Sequence, residues 1–212
     1  MKFRFVRGKL APGARILDVG CGNKSPTVTK KWFPDCNYAG ADIQRYNNSD
    51  ADLAAMDEFF LLGADGTGYD AIPEASYDLV ILNHVIEHMA TPEPIVAELC
   101  GKLKPGGYMW IAFPSKRSLT LPHSVDETLN FYDDPTHVRV PDLDAIVKTL
   151  AANGVEVIHR GRSREGFLTS VADVFKLSKR LLVKAVTGRF SGRGMWYILG
   201  FEDHVFGRRK DS

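Results

Sequence analysis

Short apolar runs rich in branched side chains alternate with helix-like segments along most of the chain, and this alternation limits the fold more than any other feature. The clearest apolar runs are residues 15–20, 37–42, 77–83 and 108–113, and apolar residues recur at helical spacing in 92–103. Strands that are apolar throughout belong inside a parallel sheet covered by helices on both faces. The sequence therefore predicts an α/β protein.

The rest of the chain follows the same alternation less regularly. The pattern predicts a short helix around 27–33, a third strand near 59–62, a helix at 142–153 and a strand at 155–159. An amphipathic helix is predicted at 167–186 and a long final strand at 195–206. A chain of 212 residues suits one domain with an elaboration and is short for two.

The composition narrows the class of protein. The chain shows no opening basic-then-apolar segment and no run of about 18 apolar residues, so we expect a cytoplasmic location. Three cysteines without CxxC spacing argue against a disulfide framework and against a cysteine-ligated zinc site. Residues 1–159 carry 15 Lys and Arg against 21 Asp and Glu, whereas 160–212 carry 12 against 5. The basic C-terminal quarter is either a solvated face or a contact with an anionic partner.

The turn after the first predicted strand contains two glycines, Gly20 and Gly22. Glycine lets the backbone bend sharply and approach a ligand closely, although many such turns bind nothing. Asp42 ends the second predicted strand, where a carboxylate can accept both ribose hydroxyls of a nucleoside cofactor, unless it is simply a helix N-cap. A nicotinamide cofactor is disfavoured, because its fingerprint needs a glycine where this chain has Ser25, followed by Pro26.

Four segments, ILDVGCGNKS, AGADI, SYDLVILNHVIEHM and LCGKLKPGGYMWIAFPS, resemble the successive motifs of the class I S-adenosylmethionine-dependent methyltransferases, in particular the type 11-like domains. The resemblance covers about residues 14–162. It implies a three-layer Rossmann-like α/β fold with a seven-stranded, mostly parallel sheet and an antiparallel last strand. It also implies S-adenosylmethionine as cofactor and S-adenosylhomocysteine as product. The chain would be one domain, 1–212, with an inserted helical segment at about 163–192.

The resemblance also implies which residues contact the cofactor, from its methionine end to its adenine. They are Asp18 at the amino group, Gly20 and Gly22 along the methionine part, Asp42 at the ribose, Ile43 on the adenine face, Asp65 with Gly66 at the adenine amino group, and Asn83 with His84 over the sulfonium. Asp70 is the alternative to Asp65. Two features depart from the family pattern: Lys24 stands where a third glycine is common, and the loop 47–69 does not align.

Methyl transfer from a sulfonium needs alignment of the acceptor and removal of its proton, but no covalent nucleophile. His84, His88 and His137 are the predicted catalytic residues, because a histidine near the methyl group suffices for a hydroxyl or amine acceptor. The segment 129–139 resembles the DPTH segment of many bacterial methyltransferases. It predicts an acceptor pocket built from Tyr132, Asp133, Asp134 and His137. The alternative is a capped turn before the helix at 142.

The favoured function is methylation of a hydroxyl or amine of a small molecule, such as a sugar or a lipid-linked intermediate. An RNA 2′-O-methyltransferase is one alternative, because Glu87, His88 and His137 partly resemble the metal-holding residues of the small-RNA 3′-end enzymes. No residue is assigned to a metal in the favoured interpretation, and the sequence lacks the aromatic, basic stripes typical of nucleic-acid binding. A catalytically silent cofactor-binding module is the other alternative. The segment 167–186 is expected to border the acceptor site or to contact an anionic membrane.

Overall fold

A seven-stranded sheet forms the centre of the protein. The computed structural model describes residues 2–64, 67–163 and 167–211. The strands, in chain order, are β1 Arg15–Val19, β2 Asn37–Asp42, β3 Glu58–Leu61, β4 Tyr77–Asn83, β5 Leu103–Pro114, β6 Val155–Arg162 and β7 Glu202–Arg209. Their order across the sheet is β3-β2-β1-β4-β5-β7-β6, and β7 runs antiparallel to both of its neighbours. The predicted fold class is confirmed.

Helices cover both faces of this sheet. They are α1 Lys2–Val6, α2 Ser25–Trp32, α3 Asp50–Ala54, α4 Pro92–Lys102, α5 Leu143–Ala152, α6 Phe167–Thr187 and α7 Trp196–Leu199. The central strands β1 and β4 are buried almost throughout, since side chains on one face join a core with α4 and α5 and those on the other join a core with α1. Burial on both faces is the physical reason that these strands are nearly continuous apolar runs, interrupted by Asp18 in β1 and Asp78 in β4.

Two predicted boundaries change. The helix at 92–103 ends at Lys102, and β5 begins at Leu103, five residues before the predicted start of that strand. The predicted strand 195–206 is wrong in its first half, where α7 lies instead. A short apolar run does not distinguish a strand from a buried helical turn, and Gly200, at a φ of 69°, ends this helix in a left-handed conformation.

The segment between β6 and β7 forms an elaboration on the sheet. Its side chains Phe190, Met195 and Phe201 join Leu121 and Leu129 in a separate small apolar cluster. Within the described residues, no helix has the length and hydropathy needed to cross a membrane. The elaboration thus packs against the loop that follows β5, beside the carboxyl ends of the parallel strands.

Candidate active site

A cleft of about 940 Å³ lies at the carboxyl ends of the parallel strands. This is where open α/β sheets bind their ligands, at the point where the strand order reverses between β1 and β4. The lining residues come from the ends of β1, β2, β3 and β4, from the loops beyond them, from α4 and from the loop after β5. They are Val19, Gly20, Gly22, Asn23, Asp42, Ile43, Gln44, Tyr46, Leu62, Gly63, Ala64, Tyr69, His84, Val85, His88, Met89, Ala90, Thr91, Ile95, Thr128, Asp134, Thr136 and Val138.

The glycine turn needs both of its glycines for steric reasons. Gly20 has a φ of 71°, and a Cβ there would overlap Cγ2 of Val85. A Cβ on Gly22 would lie 2.9 Å from the carbonyl oxygen of Tyr46. Each position therefore excludes a side chain, and the bare backbone of the turn forms one wall of the cleft.

Lys24 departs from the family sequence but preserves the backbone conformation. It has φ 63° and ψ 19°, the left-handed conformation that a glycine adopts readily, and it is the N-cap of α2. Asn23 before it also has a positive φ, of 53°. The helix entry therefore keeps the shape that a glycine would give it, at the cost of a non-glycine residue in a strained region.

Asp18 stabilises the glycine turn through hydrogen bonds in the interior of the protein. Its side chain is buried, and Oδ2 accepts hydrogen bonds from Ser25 Oγ at 2.5 Å and from Tyr38 Oη at 2.8 Å. Asp18 is absent from the described lining of the cleft, and its predicted contact with the cofactor amino group stays a prediction. It connects the end of β1 to the first turn of α2 and to β2.

Asp42 and Ile43 lie where the sequence predicts them, and both line the cleft. Burial raises the pKa of the Asp42 carboxyl, and hydrogen bonds from the backbone N–H groups of Gln44, Ile43 and Gly22 partly offset this effect. These donors also fix the carboxylate at the strand end. Ile43 is 52% exposed, which leaves an apolar side chain free to cover a flat ligand.

The loop after β3 supplies the next part of the wall. Leu62, Gly63 and Tyr69 line the cleft, and none of them belongs to the predicted site. The predicted adenine contacts Asp65 and Gly66 lie outside the described residues. The alternative, Asp70, is exposed in a 3₁₀ turn next to buried Tyr69.

His84 follows β4 and is held on both sides by carboxylates. Its Nδ1 lies 3.1 Å from Glu87 Oε1, and its Nε2 lies 2.8 Å from Glu202 Oε2. Burial by itself disfavours the imidazolium, but the hydrogen bonds to Glu202 and Glu87 outweigh it and raise the pKa of His84 to about 9. Both ring nitrogens are engaged by carboxylates, so a role of His84 as the group that takes the acceptor proton would need one of these contacts to break; its catalytic role stays a prediction.

The two neighbours of this ring differ in what they contact. Trp196 packs on His84 with ring centroids 4.8 Å apart, so α7 contacts a residue that lines the cleft. The expected position of 167–186 beside the acceptor stays a prediction. Asn83 does not line the cleft in its described part; its Oδ1 accepts a hydrogen bond from Trp110 Nε1 at 3.4 Å. Of the predicted pair over the sulfonium, only His84 is in the wall.

The segment 129–139 is both a capped turn and part of the cleft. Asn130 and Asp133 form a capping box around the 3₁₀ turn Phe131–Asp133, and Asp133 Oδ2 also accepts from the backbone of Ser124 and Leu129. Backbone hydrogen bonds and His123 hold the pKa of Asp133 low, against the effect of its burial. This carboxylate is used to close the loop, and its predicted contact with the acceptor stays a prediction.

The other members of the predicted acceptor pocket differ in their position relative to the cleft. Tyr132 is 67% exposed and is absent from the described lining of the cleft, so its contact with the acceptor stays a prediction. Asp134 and His88 line the cleft. His137 lies almost buried behind them, with its ring centroid 5.0 Å from that of His88. Backbone hydrogen bonds from Val138 and Arg139 to the Glu87 carbonyl attach this segment to the loop after β4.

Comparison with known proteins agrees with this geometry. A family model described as a methyltransferase domain matches residues 2–160, three quarters of the chain. The chain belongs to the class I S-adenosylmethionine-dependent methyltransferases. A ubiquinone biosynthesis O-methyltransferase of Agrobacterium fabrum is 26% identical over 161 residues, which are 70% of this chain and 62% of that relative. The match thus spans less than two thirds of the relative's length.

Solved structures agree with this methyltransferase in fold. An S-adenosylmethionine-dependent methyltransferase from Mesorhizobium loti matches with a TM-score of 0.63 at 14% identity, covering 98% of this chain and 97% of that one. A phosphoethanolamine N-methyltransferase of Haemonchus contortus, in complex with S-adenosyl-L-methionine, has a TM-score of 0.64 at 15% identity, covering 99% of this chain and 51% of that one. S-adenosylmethionine is thus the cofactor of this family.

Two residues of this methyltransferase that contact His84 were not predicted from the sequence. They are Glu202 and Trp196. Both come from the C-terminal part of the chain, more than 100 residues beyond His84. Neither belongs to a recognisable motif. Glu202 reaches His84 because β7 is inserted between β5 and β6 in the sheet, and α7 directly precedes this strand; no local pattern encodes either contact.

Proposed function

We propose that the chain transfers the methyl group of S-adenosylmethionine to a hydroxyl of a small, largely apolar molecule. The observation that carries this proposal is one continuous cleft with two chemically different parts. One part combines the glycine turn, Asp42 and Ile43; the other combines His88 and Asp134 with apolar side chains. Bound S-adenosylmethionine supplies an activated methyl group, so the protein has only to orient the acceptor and remove its proton.

The residues of the first part suit the cofactor by their chemistry. The Asp42 carboxylate matches a pair of ribose hydroxyls, and the exposed side chain of Ile43 matches the face of a purine. The bare backbone at Gly20 and Gly22 leaves room at the methionine end. His84 is hydrogen-bonded to Glu87 and Glu202 and lines the cleft together with these two groups of residues.

The second part suits an apolar molecule that carries a hydroxyl. Val85, Met89, Ile95 and Val138 contribute apolar surface, and His88 and Asp134 are the groups that can accept the proton of the hydroxyl. A volume of about 940 Å³ is at the upper end for small-molecule sites, enough for a cofactor with a small acceptor. The name of the Agrobacterium relative, an O-methyltransferase of ubiquinone biosynthesis, supports a hydroxyl on an apolar scaffold.

An RNA acceptor is disfavoured by the charge of the cleft. Its described lining includes Asp42 and Asp134 but no lysine or arginine, whereas binding of a polyanion depends on such residues. The basic surplus of residues 160–212 lies mostly on the elaboration and in the strands beside it.

Calorimetry with S-adenosylmethionine and S-adenosylhomocysteine tests the cofactor part. We expect binding by the native chain and at least a tenfold loss of affinity in Asp42→Ala, because the ribose loses its acceptor. Asp35→Ala, at an exposed position in the turn after α2, is the matched control and should bind normally. Absence of binding by the native chain would overturn the proposal.

A methyl-transfer assay tests the acceptor part. Hydroxylated aromatic and isoprenoid compounds are compared with free sugars, using cofactor with a labelled methyl group. We expect label in the apolar hydroxyl compounds, with kcat reduced in His88→Asn while cofactor affinity is unchanged. Turnover of sugars alone would refute the apolar acceptor, and cofactor binding without any turnover would favour a silent binding module.

A further inference from the structure

Three side chains with metal-binding chemistry converge beside the acceptor part of the cleft. Glu87, His88 and His137 each offer one nitrogen or oxygen atom, and these atoms lie within 4.8 Å of one another. The loop after β4 supplies the first two and the segment before α5 supplies the third. The backbone hydrogen bonds between Val138 and Glu87 hold the two segments together.

Both imidazoles are fixed in the form that binds a metal. Nδ1 of His137 lies 2.7 Å from the carbonyl oxygen of Phe131, and Nδ1 of His88 lies 3.2 Å from that of Thr136. A carbonyl oxygen only accepts, so each Nδ1 carries a proton and donates it. In the neutral imidazole this leaves the lone pair on Nε2 of each ring, which is the arrangement that orients histidine ligands in metalloproteins.

Glu87 supplies the second, independent observation. Its side chain is fully buried, and Oε1 is engaged by His84 at 3.1 Å. Oε2 is also buried, but it has no hydrogen-bond partner within the part of the chain that the structure describes. A buried carboxylate oxygen without a partner is costly, and a cation removes that cost.

We propose that Glu87, His88 and His137 bind a divalent transition-metal ion, of which Zn²⁺ is the best match. Two imidazoles and one carboxylate suit zinc, whereas magnesium prefers oxygen ligands. Asp134 Oδ2 lies 3.9 Å from His137 Nε2 and borders the cleft, so the open side of the site faces the acceptor. Ligands on tetrahedral zinc are about 3.3 Å apart, so the three side chains have to move slightly closer together when the ion binds.

Binding of the ion does not depend on the proposed function; only a role beside the acceptor hydroxyl rests on that function. An ion on Nε2 of His88 uses the lone pair of that ring, so Asp134 is then the group that takes the proton of the hydroxyl. The test is a titration of untagged, chelator-treated protein with Zn²⁺ by calorimetry, followed by metal analysis after desalting. We expect one ion per chain, no competition from millimolar Mg²⁺, and at least a hundredfold weaker binding in His88→Asn, His137→Gln and Glu87→Gln. His123→Asn, at an exposed histidine in the neighbouring loop, is the control and should bind as the native chain does.

The outcomes separate the two proposals. Failure of the native chain to bind zinc, or unchanged binding in His88→Asn, would overturn the metal site whatever the cofactor does. His88 is exposed, so its variant remains informative if Glu87→Gln does not fold, and thermal melting monitors folding in each case. Titration with S-adenosylmethionine in the same preparations tests the proposed function. Loss of cofactor binding by the native chain, with zinc still bound, would overturn that function and leave the metal site standing.

Discussion

Lys24→Gly should stabilise the protein, although the side chain that it removes is on the surface. Lys24 is exposed and lies in the left-handed region at φ 63° and ψ 19°, at the N-cap of α2. This conformation costs a residue with a Cβ about 1–2 kcal/mol, and glycine avoids that cost. Glycine gives back about 0.5–1 kcal/mol, because its unfolded chain has more conformations to lose.

The net effect expected for Lys24→Gly is an increase of about 0.5–1 kcal/mol in the free energy of unfolding. With a urea m-value of about 2–3 kcal/mol/M for a chain of this size, the midpoint of unfolding should rise by about 0.2–0.4 M. Urea denaturation followed by circular dichroism measures this shift. The slope should not change, because the substitution leaves the buried surface as it is.

The matched control is Lys31→Gly, seven residues further along the chain. Lys31 is also exposed, but it lies inside α2, where glycine costs about 1 kcal/mol relative to a good helix former. The same chemical change should therefore act in opposite directions at the two positions. Equal destabilisation by both substitutions would refute the argument that strain at Lys24 is relieved.

Three further predictions concern the turn, the core and the surface. Gly20→Ala should abolish cofactor binding and lower the melting temperature, because its Cβ would overlap the loop after β4. The control is Gly13→Ala, which is also at positive φ but in open space and should cost only about 1 kcal/mol of stability. Burial lowers the pKa of His204 to about 4, so the folded state resists a proton that the unfolded state takes up near 6.5. From pH 7 to pH 5, the free energy of unfolding of the native chain should therefore fall by about 2 kcal/mol more than that of His204→Phe. Urea denaturation at the two pH values measures this, and an equal fall in both proteins would refute it. The exposed apolar face of α6 should contact anionic membranes. The double variant Leu182→Glu with Val186→Glu should therefore cosediment less with phosphatidylglycerol vesicles. Equal cosedimentation of native and variant protein would count against this contact.

The sequence determined the fold class and the position of the residues at the ends of β1 and β2 that line the cleft. A strand buried on both faces is apolar at nearly every position, and a glycine turn with a carboxylate at the next strand end is a local pattern. The sequence therefore placed Gly20, Gly22, Asp42 and Ile43 correctly at the cleft. These residues need only their own strand and turn to be in position.

The direction and partner of each remaining side chain depended on tertiary structure. Asp18 lies one strand step from the turn, yet its carboxylate is buried against Tyr38. His84 has the position of a catalytic residue, but Glu202, 118 residues away in sequence, occupies its second ring nitrogen. The seven-stranded order brings that carboxylate from the C-terminal hairpin to the end of β4, and no short-range pattern records such a contact.

Lys24 illustrates the same division at a single residue. The lysine suggests a change in the helix entry, whereas its backbone has a left-handed conformation that glycine adopts readily. Local preference disfavours that conformation by about 1–2 kcal/mol. The hydrogen bonds of the turn and the packing of α2 on the sheet impose it, since tertiary interactions outweigh a preference of this size. The sequence thus decided where the turn lies, and only the packed structure decided its shape.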